Sequence, residues 1–347
     1  MKKIKRNLDF NQFLKVLKRK GTPEHLPFYE HIASSDFISR RMGKDISQME
    51  YGSDEYVRTY VDFWLSMGFD CIPIETPLNL KLPENKQSEE LTHKSEEYVV
   101  IQNWKDFENY EWPDESNIIY FELFKKAAKY IPEEVKLVAG VGGGPYEWST
   151  RLMGIIGMSH LMADDPELVE KVFKKVGSLH IKANEILGNM EGIGAHRQGD
   201  DLGYKSSTFL PPEKLRKWVF PTYKKMAEIA HASDRPFILH SCGNLESVYD
   251  DIIECGIDAK HSFEDVIMPV NEFKEEYGDR ITPLGGLDVD VICRSSKEEI
   301  REYTKKRIEQ CFDDGYWALG TGNSLTNYMP VENYITVLET AIEVMGE

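Results

Sequence analysis

The stretch "PFILHSCGNLESVYDDIIECGIDAKHS", residues 236–262, decides the fold. An apolar run over 236–241 reads as a strand and a second one over 257–262 reads as another, with a segment of helical character between them. Two strands joined by a helix must be parallel neighbours or near neighbours, because a hairpin cannot make that connection. The unit is therefore β-α-β.

The same alternation runs through the chain. Further candidate strands lie at 26–31, 70–75, 135–141, 194–201, 281–288 and 316–322. Helical patterns follow them, as in Leu168, Val172, Val176, Leu179, Ala183 and Ile186, which fall on one face at helical spacing. Ser296 and Glu299 have the spacing of a capping box at the start of a late helix. Eight β units, each followed by a helix, predict an α/β protein built as a single (β/α)8 TIM barrel over residues 1–347. No internal repeat or Gly/Ser linker divides it. "DFNQFLKVLKRKG" opens with an Asp N-cap, repeats apolar residues and ends basic, so a packed N-terminal helix is expected at about 9–20. The one long polar insertion, 76–100, follows the second strand and reads as a lid or a surface hairpin.

Composition narrows the function. With 347 residues, 41% hydrophobic and 29% charged, the chain can bury a large core. Its net charge of -17 disfavours nucleic acid and other polyanions as partners. No run of about 18 apolar residues occurs, so no membrane span is expected and a cytoplasmic location is. Five cysteines without CxxC spacing suit reduced thiols rather than a disulfide framework.

Barrel active sites are built at the C-terminal ends of the strands, and position there is a test of candidates. Asp200 and Asp201 end the fourth expected strand, His240 and Cys242 the fifth. His261 and Glu264 follow the sixth, Asp288 closes the seventh, and Thr321 with Asn323 closes the eighth. In an extended segment His240 and Cys242 share a face, so one ion could touch both. The plainer reading is a buried histidine beside an inert thiol; Glu264, one strand along, tips the balance towards a three-ligand zinc site. The glycine-rich "GVGGGPYEW" (140–148) fits neither a P-loop nor GxGxxG, and a close backbone approach explains it better.

"PFILHSCGNLESVYDDIIECGIDAKHSFED", "GDDLGYKSSTFLPPEKLRKWVFPTYKKM", "ITPLGGLDV" and "YWALGTGNSLTNYMPVENY" resemble the uroporphyrinogen decarboxylase superfamily, from about residue 22 onward. The resemblance implies a single (β/α)8 barrel. It does not extend to the arginine-rich RQAGRY-type motif of true uroporphyrinogen decarboxylases, whose place is taken by "HLPFYEHIASSDFISRRMG". It points instead to the branch of corrinoid-dependent methyltransferases, many of which carry zinc on an H-x-C motif and a later cysteine. His240 and Cys242 match the first two positions, Thr321 stands where the later cysteine would fall, and Glu264 resembles a glutamate ligand of a related barrel.

What the resemblance implies is a zinc-dependent methyltransferase that moves a methyl group from a small-molecule donor, expected to be a methoxylated compound, to the corrinoid of a partner protein. Zinc would sit on His240, Cys242 and Glu264. Asp201, Tyr204, Thr321, Asn323, Glu147 and Trp148 would line the pocket, and His261 and Asp288 would support the ligands. A homodimer is compatible with this reading. The alternatives are a decarboxylase acting on a different substrate and a non-catalytic corrinoid- or metal-binding protein.

Overall fold

The computed structural model describes residues 3–82 and 99–347. Its centre is a parallel sheet of six strands in sequence order: β1 (Cys71–Pro77), β2 (Lys136–Gly142), β3 (Ile193–Gly199), β4 (Phe237–His240), β5 (Ala259–His261) and β6 (Thr282–Pro283). Each strand pairs in parallel with the next. Helices fill the crossovers, as parallel neighbours require.

The two remaining expected strands, 26–31 and 316–322, take part through single bridges rather than ladders. Leu284 bridges to Ala318, Leu287 to Thr321, and Phe28 to Leu319. Leu319 both accepts from the Tyr29 amide (2.8 Å) and donates to the Pro27 carbonyl (2.9 Å). Phe28 in turn adjoins β1, its carbonyl 3.8 Å from Cys71 Sγ. The ring of eight positions is that of a (β/α)8 barrel. The expected strand 281–288 shortens to two residues because Gly285 and Gly286 adopt φ of +70° and +102°, where a regular strand cannot continue.

The interior shows the barrel most directly. Tyr29, Cys71, Val138, Ala195, Ile238, Ala259, Leu284 and Ala318 supply one residue from each of the eight expected strands. All are buried in one cluster with Phe10, Phe13, Val16 and Leu17. Those last four belong to the N-terminal helix Phe10–Lys18, which Asp9 caps by accepting from the Asn11 amide at 3.0 Å. The helix closes the end of the barrel where strands begin: the Asp9 amide donates to Asp70, the Phe10 amide to the Glu134 carbonyl, and Thr282 to the Val16 carbonyl. With that end plugged, the opposite rim is the one free to build a site.

Helix faces follow the sequence pattern. In the helix Pro166–Gly188 the buried residues include Leu168, Val172, Val176, Leu179 and Ala183. The helix Lys297–Cys311 starts with the expected Ser296–Glu299 capping box. Most of the polar insertion, residues 83–98, lies outside the described residues. Among the described residues, no helix is long and apolar enough to cross a membrane.

Candidate metal centre

Parallel register brings the candidate ligands together. His240, the last residue of β4, is paired with His261 at the end of β5 and with Gly199 at the end of β3. The chain beyond β3 therefore delivers Asp200 and Asp201 beside His240, and the chain beyond β4 delivers Cys242. One potential ligand atom from each of Asp201, His240 and Cys242 lies within 4.8 Å of the others. His240 Nε2 is 3.5 Å from Cys242 Sγ and 3.7 Å from Asp201 Oδ1. The Cys242 amide donates to Asp201 Oδ1 at 3.0 Å, which ties the two loops together.

The chemistry of this donor set fits a metal ion. His261 Nε2 sits 3.0 Å from the Thr321 carbonyl, which can only accept, so that nitrogen carries the proton. Burial lowers the His261 pKa to about 3, so the ring is neutral and its Nδ1 is bare. His240 Nδ1 lies 2.7 Å from that bare nitrogen and must donate to it. Burial, then His261, holds the His240 pKa well below its ordinary value, so this ring is neutral too. Its remaining nitrogen, Nε2, is a lone pair aimed at the thiol and the carboxylate, as ligation by imidazole requires.

The sulfur is prepared as well. Asn323 Nδ2 donates to Cys242 Sγ at 3.2 Å and Ser262 Oγ at 3.4 Å, an arrangement that suits a thiolate. Burial, reinforced by the Asp201 carboxylate, pushes the thiol pKa up, so a cation must displace its proton on binding. Zinc accepts nitrogen, sulfur and oxygen ligands of these types, and three protein ligands leave a position open.

The remaining expected residues divide. Glu264 is not in the triad: it opens the turn that follows β5, its carbonyl accepting from the Ile267 and Met268 amides, beside Gly243, Tyr249, Ser262 and Phe263. Asp201, expected to line the pocket, stands in the ligand group instead. Thr321 is turned away from the mouth, its amide and Oγ1 both donating to Glu30 at 2.6 Å. Asp288 caps the helix Val289–Arg294 through the Val291 amide. Trp148 is buried, its indole bonded to the Gly142 carbonyl. Tyr204 is exposed on the rim near Phe209.

Glu147 opens the helix Pro145–Met153 next to Asp200. Burial pushes the Asp200 carboxyl up to about 7, and the Tyr146 and Glu147 amides and the Tyr223 hydroxyl, all donating to it, oppose that rise. Burial and the Asp200 charge then push the Glu147 carboxyl up to about 8. The glycine-rich loop serves this contact: a Cβ on Gly144 would fall 2.1 Å from the Asp200 carboxyl carbon.

Sequence reasoning missed His31, Arg197, Ser262 and Lys260. The His31 ring stacks on His240 at 3.6 Å between centroids and 9° between planes. Arg197 on β3 is buried and donates to the His31 carbonyl and to Glu75. Lys260 is buried 4.3 Å from the centre of the Phe263 ring and donates to the Ser262 carbonyl. Its burial lowers its pKa to about 7. The strand-end test would have found His31, the last residue of the expected strand 26–31. Beside Glu75 a cavity of about 200 Å³ is lined by Ile32, Tyr51, Tyr56, Tyr60, Ile74 and Leu123, among others.

Comparison with known proteins agrees with the architecture. A methyltransferase from Methanosarcina mazei shares the fold with a TM-score of 0.74 at 16% identity, over 97% of this chain and 99% of that one. A B12-independent methionine synthase from Shewanella sp. W3-18-1 matches over 63% of this chain and 64% of its own, at 14% identity and a TM-score of 0.37, too low to bear on the fold. No curated protein sequence matches significantly. The family profile described as Uroporphyrinogen decarboxylase (URO-D) matches residues 17–344, nearly the whole chain, and the protein belongs to that family.

Proposed function

We propose that the protein is a metal-dependent methyltransferase that takes a methyl group from a small, uncharged methoxylated donor and passes it to the corrinoid of a partner protein. The observation that carries this reading is the bare Nε2 of His240 facing Asp201 and Cys242 at the functional rim. Bound by these residues, zinc would supply Lewis acidity to the oxygen that loses its methyl group. The corrinoid, brought by the partner to the barrel mouth, would supply the acceptor.

The residues of the chain do the rest. Asn323 and Ser262 hold the Cys242 sulfur by hydrogen bonds, and the stack of His31 on His240 keeps the imidazole plane fixed. The cavity beside Glu75 supports an uncharged donor with an apolar or ring-shaped body. Its walls are largely apolar and tyrosine and, among the described residues, its carboxylate is already paired with Arg197, so a methylammonium group would have the tyrosine faces but no unpaired carboxylate to hold it there.

Purified protein loaded with zinc should transfer methyl groups from methoxylated compounds to Co(I) cobalamin, followed by the appearance of methylcobalamin in the visible spectrum. Chelation should abolish transfer and zinc should restore it. Methylamines as the better donors would overturn the ether assignment. Release of CO₂ from a carboxylated substrate by metal-free protein would favour the decarboxylase alternative.

A further inference from the structure

The mechanism above uses His240 but leaves a buried carboxylate behind it unexplained. Glu30 is fully buried and, among the described residues, no basic side chain is bonded to it. Its oxygens accept from the Thr321 amide (2.6 Å), the Thr321 hydroxyl (2.6 Å) and the Tyr334 hydroxyl (2.8 Å). Burial of an acceptor this deep is costly unless every bond is made, and such networks fix geometry when complete.

By gripping both donors of Thr321, Glu30 fixes the orientation of that residue, whose carbonyl receives His261 Nε2 at 3.0 Å and the Gly286 amide at 3.0 Å. His261 Nδ1 then meets His240 Nδ1 at 2.7 Å. The path runs without a gap from Glu30 through Thr321 and His261 to the nitrogen opposite the one that faces Asp201 and Cys242.

We infer that Glu30 and Thr321 are positioning residues of the metal centre, acting through His261 to hold His240 in the tautomer whose Nε2 is bare. They touch neither metal nor substrate. The inference rests on His240 being a ligand, as in the function proposed above, but the tautomer can be read without metal. Thr321 thereby has a use on the side of the barrel away from the pocket.

The test is ¹⁵N NMR of the histidine rings in metal-free protein, beside zinc affinity measured by competition with a chromophoric chelator. The variants are Glu30→Gln, Thr321→Val, Thr321→Ser and His261→Leu, each checked for folding by near-UV circular dichroism. Wild type should show His240 protonated on Nδ1 alone. Thr321→Ser, which keeps the hydroxyl, should match it. The other three should populate the Nε2-protonated form and bind zinc about 10- to 100-fold more weakly, the usual cost of losing an outer partner of a ligand.

A wild type protonated on Nε2 would overturn the inference. So would folded Glu30→Gln and Thr321→Val proteins that keep both the wild-type tautomer and an affinity within about twofold, well short of that outer-partner cost. A wild type with the expected tautomer, shifted in Glu30→Gln, but with no zinc binding would uphold the tautomer relay and overturn the zinc-dependent methyltransferase reading together with the relay's role in a zinc centre.

Discussion

Cys242→Ala should leave a folded protein that no longer holds zinc and has lost methyl transfer by more than about 100-fold, beyond the range for outer partners of a ligand. Sγ is the soft member of the triad, and the donors on it, Asn323 and Ser262, are arranged for a thiolate. Removing it deprives the site of a first ligand, while the fold loses one small side chain at a half-buried position. Asp201→Ala should lower zinc affinity further than Glu264→Gln, because Asp201 lies 3.7 Å from His240 Nε2 and Glu264 is outside the triad. Zinc content by elemental analysis, with thermal unfolding as the control, checks all three. A Glu264→Gln protein without zinc beside a zinc-replete Asp201→Ala would return the third ligand to the position expected from sequence.

That contrast shows where the sequence stops being legible. The strand ends were readable because eight apolar runs alternate with helices, and one residue from each run now packs in the barrel's interior. His240 and Cys242 were readable because two residues of an extended segment share a face. Which neighbouring carboxylate completes the set was not. Asp201 follows β3 and Glu264 follows β5, on either side of β4, and chain spacing does not say which loop turns inwards. The Cys242 amide draws Asp201 to the side of His240 and Cys242, a backbone contact that chain spacing does not announce. Glu30 was invisible for a similar reason: nothing in "FYEH" shows that its carboxylate reaches across a bridge between the first and last expected strands to Thr321.

The largest effect on stability is expected from Gly285→Ala. At φ +70° an alanine is strained, and its Cβ would stand 2.2 Å from the Thr321 carbonyl oxygen and 2.9 Å from the His261 ring. Backbone on one side and a packed imidazole on the other leave it nowhere to go. Strain and overpacking of this kind together cost about 2–5 kcal/mol. Gly43→Ala is the control: its φ is +65°, yet nothing lies within 4 Å of the added carbon, so it should cost only about 1 kcal/mol. Chemical denaturation of the two variants gives the comparison, and a similar loss in both would mean that the approach of Thr321 to His261 is looser than described.

The central claim is that Asp201, His240 and Cys242 form a metal centre, and X-ray absorption at the zinc edge of the zinc-loaded protein tests it most directly. The account predicts one zinc per chain with a single sulfur at about 2.3 Å and the other ligands nitrogen or oxygen at about 2.0–2.2 Å. A first shell without sulfur, or no stoichiometric zinc after loading, would contradict it.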